Sequence, residues 1–576
     1  MPRLVDLTKK PYYLTEKQVD WVEKTLGAMT LEEKIGQLFF NLFFNEENQY
    51  NKTKLDNRKI IEKYHIGGAR YQGGDSAQVQ KLLNNLQEYS KIPLLIAANC
   101  DSGGNGACSD GTYIASGAAS EAAGVPDVAY HAGYVSAKEA QALGINVNFD
   151  PCVDILFNWR NTIVNTRAYG DTADKVIEYT SAYIDGFEAA SSGQMITCIK
   201  HFPGDGIEER DQHMVLGIND LSVEEWDASF GRVYKHHIDR GVPMMMAGHI
   251  AMPTYSKHLN PQLDDEHILP ATLSPELITG LLKEQLGFNG LLVTDASHML
   301  GMTASMPRKD YVPLSIAAGC DMFLFFNELD EDFNYMLQGY KSGIITPERL
   351  DDAVRRILGL KARLDLAGKG ARGELQKSGD ALEVIGCPEH LEYAREAADA
   401  SICLLKDKLN VLPLNPDKHK RLLVNYVRNN MGDLANHTEP ADCMKEELER
   451  RGFTVTMNYG ESRVKGSVEE FKKKYDAVIL IVDIFGYASQ NNYRIDWPCA
   501  VSNAMPWYQY ELPTVGISLN YTTHLHDLSM MRTFINAYSN TPTVIKALVS
   551  KLVGETNFKG KANDLVWCNQ WENLHR

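Results

Sequence analysis

Short apolar runs recur along the first two thirds of the chain, each closing on polar residues. Residues 94–98, 146–149, 195–199, 244–247, 291–294 and 321–325 read this way. Each is too short for a helix, and all but Asn146-Val147-Asn148-Phe149 are mostly apolar at consecutive positions, the pattern of a buried strand. Helical spacing fills the stretches between them. Residues 17–28 are amphipathic, Thr30 with Glu33 reads as a capping box, and residues 349–364 carry Val354, Ile357, Leu358 and Leu360 on one face. Strand and helix alternating over a few hundred residues predict a parallel (β/α) barrel at residues 1–366.

A Gly-rich, charged stretch, Ala367-Gly368-Lys369-Gly370-Ala371-Arg372-Gly373, follows that pattern. It reads as the start of a linker over residues 367–388. Beyond it, residues 400–405, 422–426, 478–482 and 514–518 are strand-like and separated by helical patterns. Residues 389–576 are thus expected to form a second α/β domain with a mostly parallel sheet. A chain of 576 residues fits two or three domains rather than one. No internal repeat is visible.

Composition narrows the function classes. The formal net charge of −17 argues against non-specific nucleic-acid or anionic-membrane binding, which needs basic patches. No apolar run reaches spanning length, and the basic start lacks the apolar core of a secretory signal. The ten cysteines are scattered, as at Cys198, Cys320 and Cys403, with no Cys-x-x-Cys spacing. Reduced, buried thiols in a cytoplasmic protein are expected. The run Gly103-Gly104-Asn105-Gly106 lacks the Lys-Ser/Thr of a phosphate-cradling loop.

The candidate chemistry lies where apolar strands end. Lys200-His201-Phe202-Pro203-Gly204-Asp205-Gly206 leaves the strand at 195–199, and Asp211-Gln212-His213 follows four residues later. Pro203 fixes one φ, and Gly204 and Gly206 permit turns closed to other residues. A carboxylate two residues from a histidine can hold one ring nitrogen and leave the other for proton transfer; the alternative is a loop histidine tied down for turn stability. Asp295 ends the run at 291–294, either as a catalytic carboxylate or as the N-cap of a following helix. Arg167 reads on its own as a surface ion pair. His249 reads as a pocket residue or a satisfied core histidine, with the adjacent Met244-Met245-Met246 as packing. Asn99 and Asp101 stand at another strand end. Tyr493-Arg494-Ile495-Asp496-Trp497-Pro498 suits sugar stacking or an ordinary interface loop.

The Lys-His-Phe-Pro-Gly-x-Gly run, with Asp-x-His four residues on, resembles the signature of glycoside hydrolase family 3 in its β-N-acetylglucosaminidase branch. Gly287-Phe288-Asn289-Gly290 before Asp295, and Arg167-Ala168-Tyr169-Gly170, resemble further elements of that family, from about Trp21 to Gly560. The resemblance implies a (β/α)8 TIM-type barrel followed by a C-terminal α/β sandwich domain. It implies a retaining exo-glycosidase that removes terminal non-reducing β-linked N-acetylglucosamine through a covalent intermediate. By the same resemblance Asp295 is the nucleophile, His213 the acid/base and Asp211 its partner. Lys200, His201, Arg167, Asn99 and Asp101 would bind the sugar. No cofactor or metal is expected, and the substrates would be small β-N-acetylglucosaminides such as cell-wall or chitin fragments, with a homodimer left open. Around Asn99 the chain departs from the family's Asp-x-Glu-Gly-Gly, because an amide stands where an acid is usual and Ser102 is inserted. Alternatives are a phosphorylase, a broader β-glucosidase-like enzyme, or a non-catalytic sugar-binding protein.

Overall fold

The computed structural model describes residues 4–44, 56–429, 439–486, 488 and 493–576, so the first three residues of the basic start lie outside it. Two compact units emerge. One holds Met1–Tyr113, Tyr130–Ile155 and Thr172–Pro388; the other holds Ile114–Ala129, Leu156–Asp171 and Glu389–Arg576.

The first unit is a closed barrel of eight parallel strands: β1 (Phe39–Phe43), β2 (Gly68–Tyr71), β3 (Leu95–Ala98), β4 (Val147–Asn148), β5 (Ile196–Phe202), β6 (Met244–Ala247), β7 (Leu291–Ala296) and β8 (Met322–Leu324). They neighbour one another in chain order, and β8 closes on β1. The six predicted barrel strands are all present. The pattern missed β1, whose apolar run merges with the preceding helix Leu31–Gln37, and β2, whose Gly-Ala-Arg-Tyr has no β-branched residue. The Thr30–Glu33 capping box forms as expected. Residues 367–388, expected as a linker, carry a helix at Leu366–Arg372 and a 3₁₀ stretch at Gly379–Val384.

Every residue of β3, β5 and β6 is buried. Behind β5 and β6 an aromatic cluster of Phe202, Trp226, Tyr234 and Tyr255 fills the space under the surrounding helices. Trp226 also donates its indole N–H to the Pro203 carbonyl at 2.8 Å, tying this core to the loop after β5.

The second unit contains a six-stranded sheet of β9 (Cys403–Asp407), β10 (Arg421–Arg428), β11 (Thr454–Asn458), β12 (Ala477–Asp483), β13 (Thr514–Ser518) and β14 (Thr533–Asn536). Its order is β9-β14-β13-β12-β10-β11, with only the β9–β14 pair antiparallel. The pattern missed β11, a half-exposed edge, and β14, which follows a loop with no helical spacing. Tyr493 is buried here against Tyr521, with ring centroids 4.1 Å apart, so it packs a core rather than offering a stacking face. The ten cysteines form no disulfide, and Cys198, Cys320 and Cys403 are buried. Among the described residues no helix is long and apolar enough to cross a membrane.

Two buried histidines give the fold a defined pH response. Burial pushes His237 in the first unit down to about 3 and His524 in the second down to about 4. The unfolded chain takes these protons from about pH 6.5, where the folded chain does not, so stability falls as pH drops below that value. Each histidine then costs on the order of 1.4 kcal/mol per pH unit until its folded pKa is reached. The urea midpoint is expected to fall steadily from pH 6.5 to pH 5 and to fall less in His237→Gln. A midpoint that is flat over this range removes the effect.

Candidate active site

The candidate side chains of the first unit gather where the barrel strands end. Strand β5 runs three residues further than its apolar pattern, and its register with β6 shifts between Ile199 and Phe202. In a flat strand Lys200 and His201 would face opposite ways; across this irregularity both are buried. Gly204 then turns the chain at φ +115°. A Cβ there would sit 2.2 Å from the Phe230 ring, so the turn needs glycine.

Lys200 Nζ lies 2.8 Å from Asp150 Oδ1 and 3.5 Å from Asp101 Oδ1. Asp150 follows β4 and is fully buried, which makes this ammonium its charge partner. His201 donates from Nδ1 to Asp154 Oδ2 at 2.7 Å, because an ionised carboxylate only accepts. Asp154 Oδ1 accepts from the backbone N–H groups of Asp205 (2.8 Å) and His201 (3.2 Å). Burial alone would raise the Asp154 carboxyl; the His201 charge and hydrogen bond outweigh it and hold it below its ordinary value.

Asp211 is fully buried, and its Oδ1 accepts from His213 Nδ1 at 2.6 Å and from the His213 backbone N–H at 2.9 Å. One carboxylate oxygen therefore fixes both the ring and its backbone. With Nδ1 protonated, Nε2 carries the ring lone pair. The His213 side chain is 23% exposed. Gln212 between them is buried; its Oε1 accepts from the His249 N–H at 2.7 Å and its Nε2 donates to Asp205 Oδ2 at 3.3 Å.

Asp295 lies near the end of β7 and is half-buried. Its Oδ1 accepts from the Ala296 N–H at 2.7 Å. It does not cap the next helix, Leu300–Thr303, whose N-cap is Met299. Burial would raise the Asp295 carboxyl, but His201, His249, His213 and the Ala296 N–H together bring it below its ordinary value. It is thus ionised at neutral pH, the form a nucleophile needs. The backbone joins the two halves of the site: Leu300 N–H donates to the His213 carbonyl at 2.9 Å, and Gly301 N–H to the Gln212 carbonyl at 3.2 Å. His249 is fully buried with both ring nitrogens engaged, Nε2 on the Ala296 carbonyl and Nδ1 on Thr272 Oγ1, each at 2.9 Å. It supports the end of β7 as a satisfied histidine, and burial lowers its pKa.

Asn99 follows β3, and its Oδ1 accepts from Arg70 Nε at 3.3 Å. Asp101 is half-buried beside Lys200. Arg167 lies in the Leu156–Asp171 segment of the second unit and is half-buried. The sequence reading did not pick out Arg70, Asp150, Asp154, Asp205 or Gln212 as site residues. Asp150 and Asp154 had a signal, since both follow the apolar run of β4 within a few residues. Arg70 had none, because β2 itself was not recognised.

Comparison with known proteins gives this arrangement a context. The Glycosyl hydrolase family 3 N terminal domain matches residues 30–360. A "Beta-N-acetylglucosaminidase/beta-glucosidase" of Cellulomonas fimi is 37% identical over 575 residues, covering 99% of this chain and all of that protein. The solved structure of "Beta-glucoside phosphorylase BglX" bound to 2FGlc superposes with a TM-score of 0.90 at 36% identity, covering 96% of this chain and 98% of the other. A glycoside hydrolase family 3 β-N-acetylglucosaminidase from Paenibacillus sp. str. FPU-7 superposes with a TM-score of 0.74 at 26% identity, covering 93% and 98%.

Proposed function

This chain belongs to glycoside hydrolase family 3, and from that premise we propose that it is a retaining exo-β-N-acetylglucosaminidase that also accepts β-glucosides. The observation that carries the reading is the Asp211–His213 pair, on a loop hydrogen-bonded to the residues just after Asp295. Asp295 attacks the anomeric carbon and the glycosidic C–O bond breaks. His213, as the imidazolium held by Asp211, gives its Nε2 proton to the leaving oxygen. The sugar is then an ester on Asp295 and His213 is neutral, ready to take a proton from attacking water. Lys200, His201, Asp101 and Asn99 are proposed to bind sugar hydroxyls. The acetamido group is recognised rather than used as nucleophile. The relative named for both β-N-acetylglucosaminidase and β-glucosidase activity supports the dual substrate range.

A second reading shares the intermediate and changes the acceptor. After the first step the acid/base is a neutral imidazole, not a carboxylate, so it does not repel an anion. Inorganic phosphate needs no general base to attack, and a sugar 1-phosphate would leave instead of free sugar. The structural neighbour named as a β-glucoside phosphorylase favours testing this directly. With 4-nitrophenyl β-N-acetylglucosaminide and β-glucoside, 4-nitrophenol release is expected from both, faster from the first. The co-product assayed in phosphate buffer decides the acceptor. Free sugar at every phosphate concentration keeps the hydrolase, and stoichiometric sugar 1-phosphate moves the protein to the phosphorylases. No release from either substrate overturns both readings.

A further inference from the structure

Cys152, Asp154 and His201 form a donor set that shares only His201 with the residues proposed to bind the sugar. Cys152, Asp154 and His201 each offer one ligand atom, and these atoms all lie within 4.8 Å of one another. Cys152 Sγ is 3.1 Å from Asp154 Oδ2, and His201 Nδ1 is 2.7 Å from the same oxygen. All three residues are buried. The carboxylate is aimed, because its other oxygen is held by two backbone N–H groups and only Oδ2 is turned to the thiol and the ring. That is how a metal-ligating carboxylate is oriented by its outer partners.

We propose that Cys152, Asp154 and His201 form an inhibitory site for a borderline-soft divalent cation of the zinc and cadmium class. A thiolate, an imidazole nitrogen and a carboxylate oxygen are the ligand types such ions take, and three protein ligands leave a fourth position for water or a sugar hydroxyl. Hard cations such as magnesium and calcium prefer all-oxygen shells and are excluded. Charge closes as well. The thiol proton goes to solvent, the ring proton moves from Nδ1 to Nε2, and the dication with one thiolate and one carboxylate is neutral in a buried site. Where the ring starts as imidazolium, it releases a second proton. Tetrahedral ligands at about 2.0–2.3 Å stand roughly 3.3–3.7 Å apart, so the His201–Asp154 contact must open by somewhat under 1 Å. Opening it turns the His201 ring away from its sugar-binding pose, which is why the ion inhibits.

The cysteine makes the site selective and also testable. In chelator-treated protein, zinc or cadmium is expected to inhibit glycoside cleavage reversibly, with magnesium and calcium inert. Cys152→Ser keeps a hydroxyl donor for Asp154 but loses the soft ligand, and should weaken inhibition by about tenfold or more. Inhibition is read as the ratio of each variant's activity with and without the ion, so a lower basal rate does not confuse it. Cadmium–thiolate charge-transfer absorbance gives a readout without turnover: it should appear in the parent and in Asp295→Ala and diminish by one thiolate in Cys152→Ser and Cys152→Ala. The Asp295→Ala arm separates this proposal from the functional reading, since it binds the ion whatever the reaction is. Equal inhibition and equal absorbance in parent and Cys152 variants would overturn it.

Discussion

Asp295→Ala is expected to abolish turnover, by on the order of 10⁴–10⁶-fold in kcat, the range seen when a covalent nucleophile is removed. The carboxylate is half-buried near the end of a barrel strand, oriented by the Ala296 N–H and held below its ordinary pKa, against its burial, by neighbouring histidines, His201 foremost. Deleting it removes the bond-forming atom and leaves the pocket walls standing, so binding of a sugar or lactone inhibitor should survive. Azide should restore cleavage of an activated β-glycoside, because it occupies the vacated space and attacks the face Asp295 used, giving the α-glycosyl azide. A variant that merely unfolds gives neither binding nor azide product. The lowered pKa carries a corollary. Protonating Asp295 limits kcat/KM only below its ordinary value of 3.8, so any acid limb found above that pH belongs to another group. A parent protein that binds sugars but releases nothing, with Asp295→Ala binding equally, would instead mark a non-catalytic sugar-binding protein.

Sequence made the barrel legible because its strands are buried on both faces, and unbroken apolar runs such as Met244–Ala247 signal that without help from neighbours. It failed at β1 and β2, where one run fused with a helix and the other held glycine and arginine. The division into units was less legible still. The segments Ile114–Ala129 and Leu156–Asp171 group with residues from 389 onward although they lie inside the first 366. Contact between distant segments leaves no local periodicity to read. For the site, the catalytic candidates stood out because Asp211, His213 and Asp295 follow strand ends within short motifs. Their supports did not. Asp154 is a carboxylate whose partner stands 47 positions away at His201, and Gln212 matters through His249 and Asp205, which only the folded chain brings to it. Arg167, marked by its motif, groups with the second unit.

The Asp211–His213 pair should divide its effect between the two chemical steps, which a purely structural pair would not do. His213→Ala removes the acid needed for a poor leaving group, and a fall of about 10²–10⁴-fold is expected with a disaccharide. With 4-nitrophenol leaving, little protonation is needed, and the first step should be nearly spared. The second step then limits, because water still requires a base; azide or phosphate, which do not, should accelerate the variant. Asp211→Asn tests the partner without emptying the space. An amide can donate to Nδ1 as well as accept from it, which moves the ring proton to Nε2 and removes the charge that stabilises the imidazolium. Its loss should approach that of His213→Ala on the disaccharide and shrink with the activated aglycone. A burst of 4-nitrophenol followed by slow turnover would report the accumulated glycosyl ester on Asp295. If both variants instead lose the two substrates equally and no anion speeds them, His213 is holding the loop rather than moving a proton, and the acid/base must be sought among the other buried carboxylates of the mouth, beginning with Asp205.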